Sequence, residues 1–206
     1  MRYELWEPHY LAILDYFGFD RAQDEEAARL LASLLPRDDL PMLAALCRGQ
    51  HVTVCGNAPC LKDELLQIRG VVFAADAAAD VLLGHRIHPE AIFTDLDGAT
   101  DRFIDMNREG TIIVVHAHGD NMPLLRHWVR RFAGPVVGTT QATPIPHVHN
   151  FGGFTDGDRA VFAADELGAS GITIIGFDLG DTDVDPMKRG KLFWAGKLLG
   201  LIGHGC

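Results

Sequence analysis

From His51 onward the chain alternates short apolar runs with amphipathic or alanine-rich stretches, and this alternation limits the fold more than any other feature. Val52-Thr53-Val54-Cys55, Val71-Val72-Phe73-Ala74, Ala91-Ile92-Phe93-Thr94, Thr111-Ile112-Ile113-Val114-Val115, Val136-Val137-Gly138 and Ile172-Thr173-Ile174-Ile175 are six runs of strand length. They are apolar at consecutive rather than alternate positions. Strands apolar on both sides must be covered on both sides, and the helical stretches between them supply that cover. The expectation is an α/β fold, a mostly parallel Rossmann-like sheet with helices on both faces.

Residues 1–50 read differently, as an all-helical N-terminal appendage to an α/β domain over 51–206. Leu5, Ile13, Leu14 and Phe17 recur at helical spacing, and Gly18 offers a stop. Asp24-Glu25-Glu26 puts negative charge at the start of a second helix, where the helix dipole favours it. Leu34-Leu35-Pro36 ends that helix, and a third is expected from near Pro41 to Cys47. A last helix over 187–202 carries Lys188, Lys191 and Lys197.

The formal charge of −10, from 18 basic and 28 acidic side chains, argues against nucleic acid or an anionic membrane as a partner. No stretch approaches the ~18 apolar residues of a membrane helix. Glu4 and Glu7 stand where a secretion signal would need an apolar run. Cys47, Cys55, Cys60 and Cys206 show no metal or disulfide spacing and read as small apolar groups, Cys60 partly exposed. A cytoplasmic setting is the expectation, and a homo-oligomer is compatible with it.

The residues directly after each strand carry the functional signal: Gly56-Asn57, Asp76, Asp95 with Asp97, His116 to Asp120, Thr139-Thr140-Gln141, and Asp178. In an open parallel sheet, ligands bind outside the carboxyl ends of the strands. Any one of these Asp residues could be a helix cap; six polar strand ends in succession point to a site. Asp95-Leu96-Asp97 is the sharpest element, because a D-x-D in extended chain points both carboxylates the same way. Charges ~4–7 Å apart repel by roughly 2–4 kcal/mol at an effective dielectric near 20. A divalent cation removes that repulsion, and hard oxygen ligands suit Mg²⁺. Asp76 and Asp120 could complete the set.

Gly56-Asn57-Ala58-Pro59, between strand and helix, could turn backbone N–H groups toward a phosphate. Residues 150–159 (Asn150, Phe151, Gly152, Gly153, Phe154, Thr155, Asp156, Gly157, Asp158, Arg159) form either a surface turn that caps the next helix or a loop against a flat ring. His116-Ala117-His118-Gly119-Asp120-Asn121 is close to the HxHxDH of zinc-dependent hydrolases of the metallo-β-lactamase type, with Asn121 in place of the last histidine, and His147/His149 form a second HxH. The other reading makes these histidines hydrogen-bonding or phosphate-facing groups at strand ends.

Taken in order, these motifs resemble the archaeal 6-hydroxymethyl-7,8-dihydropterin pyrophosphokinases, the MptE-like family. The resemblance runs through Phe17-Gly18-Phe19-Asp20, Gly56-Asn57-Ala58-Pro59, Asp76, Thr94 to Gly98, His116 to Asn121, Thr139-Thr140-Gln141, residues 150–159 and Gly176-Phe177-Asp178-Leu179-Gly180. The core is also similar to thiamine pyrophosphokinase. The family's usual GNGPSL reads Gly56 to Leu61 with Ala58 and Cys60 replacing a glycine and a serine.

The resemblance implies Mg²⁺-dependent transfer of diphosphate from ATP to a reduced pterin alcohol, with AMP released. It would assign Asp76, Asp95, Asp97 and Asp120 to metal, with Asp95, Asp97 and Asp120 catalytic and Asp120 a candidate acceptor of the hydroxyl proton. Gly56, Asn57, His118, Asn121, Thr140, Gln141 and Arg159 would face the nucleotide. Residues 150–156, Asp158 and Asp178 would face the pterin, with Phe151 or Phe154 stacking on it. A nucleotide-sugar-dependent glycosyltransferase of the related motility-associated family, or a zinc-dependent hydrolase, is the alternative.

Overall fold

The computed structural model describes residues 1–204; Cys206 lies outside the described residues. In chain order the helices are α1 (Tyr3–Phe17), α2 (Arg21–Leu34), α3 (Leu40–Cys47), α4 (Leu61–Glu64), α5 (Ala78–Gly84), α6 (Asp101–Arg108), α7 (Met122–Trp128), α8 (Asp156–Glu166) and α9 (Pro186–Leu201). The strands are β1 (His51–Cys55), β2 (Val71–Ala75), β3 (Ala91–Thr94), β4 (Ile112–Ala117), β5 (Val136–Thr140), β6 (Val148–His149) and β7 (Gly171–Ile175). They form one sheet in the order β6-β5-β4-β3-β2-β1-β7, every pair parallel.

The six apolar runs are six of these strands, and successive residues feed opposite faces. Val52, Val54, Phe73, Phe93 and Val114 join one core cluster. Cys55, Val72, Ala74, Ile92, Ile113 and Val115 join the other. A right-handed crossover fixes which face a connecting helix takes. While the chain advances from β1 to β5, α5, α6 and α7 pack on the second face. The return across the sheet to β7 places α8 on the first face. β1 thus has β2 on one side and β7 on the other, and the direction of winding reverses there.

The helical segment over 1–50 is part of both cores. Trp6, Tyr10, Ile13 and Leu14 of α1 and Leu43 and Cys47 of α3 are buried in the first. Ala27, Ala28 and Leu31 of α2 are buried in the second. Gly18 ends α1 in the left-handed conformation (φ 71°), which lets the chain turn sharply toward α2. The Trp6 indole N–H donates to the Gln141 carbonyl just past β5, at 2.8 Å. That bond ties the start of α1 to the carboxyl edge of the sheet, and Asp24 near the start of α2 reaches the same edge by accepting from the Gly119 N–H and Gln141 Nε2.

Two thiols are locked in these cores, and burial pushes Cys47 and Cys55 up to about 12. A thiol-disulfide reagent at pH 8 should leave both unmodified in the native protein and label both in denaturant. Peptide mapping by mass spectrometry reads the outcome at each position. No helix among the described residues is long and apolar enough to cross a membrane.

Candidate active site

Because every strand is parallel, all the polar strand ends reach the same edge of the sheet. At the end of β3 the buried Thr94 hydroxyl donates to Asp76 Oδ1 at 2.6 Å and accepts from the Leu96 N–H at 2.8 Å. Asp76 and Leu96 hold left-handed backbone, φ 44° and 74°. For residues other than glycine this costs on the order of 1–3 kcal/mol each, sustained only where surrounding bonds define the turn. Asp95-Leu96-Asp97 is therefore not extended. Leu96 turns inward to be buried, and the tight turn, rather than a strand's two-residue period, brings Asp95 and Asp97 to one cavity.

The electrostatics of this turn are uneven. Burial works against the Asp95 carboxylate, but a hydrogen bond from His118 (3.3 Å), the Arg159 charge and the Asp97 N–H hold it well below the usual range. Asp97 is pushed up to about 6 by partial desolvation and by the charge of Asp95, with Asp76 adding to it and Lys191 opposing. Asp76 is raised by burial against the pull of Thr94. Asp156, in the first turn of α8, is raised well above its ordinary value by burial and then by Asp95, with Arg159 opposing from 3.2 Å. Four carboxylates thus share one field with too little positive charge to balance them. That donor set fits a hard divalent cation. No group of three or more His, Cys, Asp or Glu among the described residues forms a ready cage. A cation held here would complete its shell with water and phosphate oxygens, as Mg²⁺ normally does.

Two cavities flank this acidic ridge and share Asp97, Thr155, Asp156 and Lys191. The first, ≈350 Å³, lies under the α1–α2 turn. Its aromatic side is Phe19 and Phe154, both packed on Phe17 with ring centroids 5.2 Å apart. Its polar side is a chain of bonds: Tyr10 OH and Gln141 Nε2 both donate to Asp24 Oδ2 at 2.8 Å, and Arg159 reaches Gln141 Oε1 at 3.4 Å. The second cavity, ≈510 Å³, opens where winding reverses at β1 and β7. The Gly56-Asn57-Ala58-Pro59 turn, Phe177, Asp178, Lys188 and Lys191 line it.

A family model described as 6-hydroxymethylpterin diphosphokinase MptE-like matches residues 29–184. The chain belongs to the MptE-like family. It is also similar to proteins named 6-hydroxymethyl-7,8-dihydropterin pyrophosphokinase from three archaea. It is 39% identical to that of Methanothermobacter thermautotrophicus, over 97% of this chain and 94% of the relative. It is 40% identical to that of Pyrococcus furiosus (86% and 78% covered) and 35% identical to that of Methanocaldococcus jannaschii (85% and 79%).

In this MptE-like chain the residues expected at the nucleotide divide between the cavities. Gly56 and Asn57 line the second; His118, Gln141 and Arg159 line the first. Asn121 is buried and lines neither: it donates to Asp95 O and His116 O, both at 2.7 Å, and so ties the ends of β3 and β4 together. Thr140 is buried and accepts from the Ala142 N–H. Asp120 is exposed in the first cavity's lining.

Residues 150–159 divide between scaffold and cavity lining. Asn150 donates to the carbonyls of Gln141 and Ala142. The fully buried Asp158 caps α8, accepting from the N–H groups of Phe154 and Thr155 and the Thr155 hydroxyl. Phe151 stacks on the His149 ring, away from both cavities, and Gly152 packs against Phe162. Gly153 lies too close to the Arg159 backbone for any side chain. Phe154, Thr155, Asp156 and Arg159 line the first cavity, and Thr155 and Asp156 also line the second, which Asp178 borders.

The histidines do not converge either. The Thr139 hydroxyl donates to Val115 O, so it accepts from His116 Nδ1–H, and burial holds that ring neutral. His118 bonds Asp95, and His149 bonds Asp38. Among the C-terminal lysines, Lys188 and Lys191 face the second cavity while Lys197 sits over the Trp194 ring at 4.4 Å. The sequence did not single out Asp24, and it set Asp156 at the pterin without its part in the acidic field; Phe19 and Phe177 stood only within longer motifs. Asp24 sat in an acidic run that reads as helix-dipole charge, and Asp156 beside a second candidate cap.

Proposed function

We propose that this protein transfers the terminal diphosphoryl group of ATP to the hydroxymethyl oxygen of 6-hydroxymethyl-7,8-dihydropterin, releasing AMP. The supporting observation is the pair of cavities that meet at the Asp97–Asp156–Lys191 ridge. One has an aromatic side and a polar side suited to a flat, hydrogen-bonding ring. The other has a glycine turn and lysines suited to a polyphosphate. A reaction that joins two substrates needs both held at one line of contact, and orientation of this kind supplies a large part of phosphoryl-transfer catalysis.

In this reading the backbone of Gly56 and Asn57 and the Lys188 and Lys191 ammonium groups orient the triphosphate, and Lys191 balances charge on the transferred group. Asp97 and Asp156, facing both cavities, put a carboxylate beside the acceptor oxygen to take its proton. Asp76, Asp95 and Asp97 would hold Mg²⁺, which when bound neutralises phosphate charge. The Asp95 carboxylate is kept ionised for this by His118 and Arg159. The activated diphosphate ester suits a later displacement at the pterin methylene in methanopterin- or folate-type cofactor assembly.

Incubation with ATP, Mg²⁺ and the reduced pterin should form AMP in step with the diphosphate ester, followed by ion-pair chromatography. ADP or orthophosphate as the nucleotide-derived product would overturn the mechanism. Preferential binding of a nucleotide sugar would favour the glycosyltransferase alternative, and stoichiometric zinc in the purified protein the hydrolase alternative.

A further inference from the structure

The family model starts at residue 29, yet the first cavity is walled in part by Gly18, Phe19, Asp20, Gln23 and Asp24, all before that point. We propose that this α1–α2 segment selects the acceptor: Asp24 reads the amino-bearing edge of the pterin's pyrimidine ring, and Phe19 covers the ring face. The proposal rests on the pyrophosphokinase reading above and assigns a specificity role within it.

Asp24 is 3% exposed yet reaches the cavity. A buried carboxylate needs partners, and this one accepts three hydrogen bonds, from Tyr10 OH, Gln141 Nε2 and the Gly119 N–H. An ionised carboxylate has about four acceptor positions, so one stays available toward the cavity. The donation to Asp24 also fixes the Gln141 amide, whose oxygen then points toward Arg159. Arg159 keeps a buried Nε–H that bonds nothing in the protein.

The polar side therefore presents an order of groups: a carboxylate acceptor at Asp24, an amide acceptor at Gln141 and a guanidinium donor at Arg159. A 2-amino-4-oxo pyrimidine presents the complement along its edge, an amino donor, a ring N–H donor and a carbonyl acceptor. Adenine offers an amino donor flanked by ring-nitrogen acceptors and would set an acceptor against Gln141 Oε1. This side of the ridge thus favours the pterin over the adenine of ATP. Phe19, stacked on Phe17 at an interplanar angle of 11°, supplies a flat apolar surface beside it.

The test compares two acceptors with Asp24→Asn and Phe19→Ala variants: 6-hydroxymethyl-7,8-dihydropterin, and its lumazine analogue with a 2-oxo group replacing the 2-amino group. Wild type should prefer the pterin. Asparagine keeps the outline of Asp24 but replaces one oxygen with a donor, so the pterin-to-lumazine ratio of kcat/KM should fall on the order of 30-fold. KM for ATP should stay within twofold.

Phe19→Ala leaves the hydrogen bonds of Asp24 untouched and keeps the proposal testable if Asp24→Asn fails to fold. It should raise the acceptor KM on the order of 10-fold and leave that of ATP within twofold. An unchanged acceptor ratio in a folded Asp24→Asn protein overturns the assignment of Asp24. Parallel changes in both KM values, or none, in Phe19→Ala overturn the role of the segment. If wild type forms no diphosphate ester from the pterin, the pyrophosphokinase reading itself falls, and the specificity proposal with it.

Discussion

Asp97→Asn should lower turnover on the order of 10³-fold while the protein unfolds at a temperature no lower than wild type. Asp95→Asn should lose activity to a similar degree and melt earlier. The two residues are two positions apart, but the fold treats their charges oppositely. The Asp97 carboxylate suffers the fields of Asp95 and Asp76, so a neutral isostere relieves repulsion in the unliganded protein. The Asp95 carboxylate is supported by His118 and Arg159, and its removal leaves those groups facing an amide. Breaking a partly buried charge-assisted pair costs on the order of 1–3 kcal/mol, or several degrees in unfolding temperature for a chain of this size. Loss of one preorganised electrostatic group at a transferring centre costs about 10²–10³ in rate, and the metal-holding role proposed above would raise that cost.

The pH dependence of stability carries the sign. The native pKa of Asp95 lies below its unfolded value of about 4. Its contribution is therefore fully present above pH ~4 and is lost as pH falls through the native value. The gap in stability between wild type and Asp95→Asn should be constant near neutrality and begin to narrow below pH ~4. Thermal unfolding scans from pH 7 to pH 3, with AMP formation measured at neutrality, check both statements. Full activity in both variants would remove the ridge from the mechanism.

The strands carrying these groups were legible because burial on both faces leaves uninterrupted apolar runs, which no amphipathic helix shows. β6 was not, since two residues, Val148 and His149, carry no period, and His149 looked instead like half of a metal motif. At the site, Asp95 and Asp97 were legible as a pair, but not the geometry that joins them. An extended D-x-D was expected, and the chain instead places Leu96 in left-handed backbone so that its side chain is buried. Asp24 was harder. Nothing local separates an acidic residue in a helix's first turn from one that tertiary packing turns into a cavity. Asp24 enters the site because α2 packs on the sheet and the Gly119 N–H and Gln141 Nε2 hold its carboxylate there. Helical periodicity showed that these helices exist but not that they pack into both cores. The aromatic and glycine content of 150–159 points there for acceptor-facing residues: Phe154, Thr155 and Asp156 do line the first cavity, while Asn150 and Asp158 hold the backbone.

The reversal point at β1 and β7 yields the second large effect. Gly176→Ala should destabilise the protein by about 2–4 kcal/mol, lower its unfolding temperature by roughly 5–15 °C and raise KM for ATP more than KM for the acceptor. Gly176 has φ 68°, and an added Cβ would lie 2.4 Å from the Gly56 carbonyl oxygen and 2.9 Å from the Leu61 side chain. Left-handed backbone costs an alanine on the order of 1 kcal/mol, and overpacking adds about 1–3 kcal/mol.

Neither backbone can yield cheaply. The Gly176 N–H donates to Glu64, its carbonyl accepts from Ala58, and Gly56 N–H donates to the Ile175 carbonyl. Gly56 is equally constrained, since its own Cβ would meet Gly176 O at 2.5 Å and the Phe177 ring at 2.7 Å. The two glycines nest the ends of β1 and β7, so any separation moves the Gly56–Pro59 turn that faces the second cavity. Gly200→Ala, in α9 with nothing near the added methyl, is the control and should be neutral or slightly stabilising. An unchanged unfolding temperature and ATP KM in Gly176→Ala would mean that the two turns separate freely, and would overturn the proposed contact of the Gly56–Pro59 turn with the nucleotide.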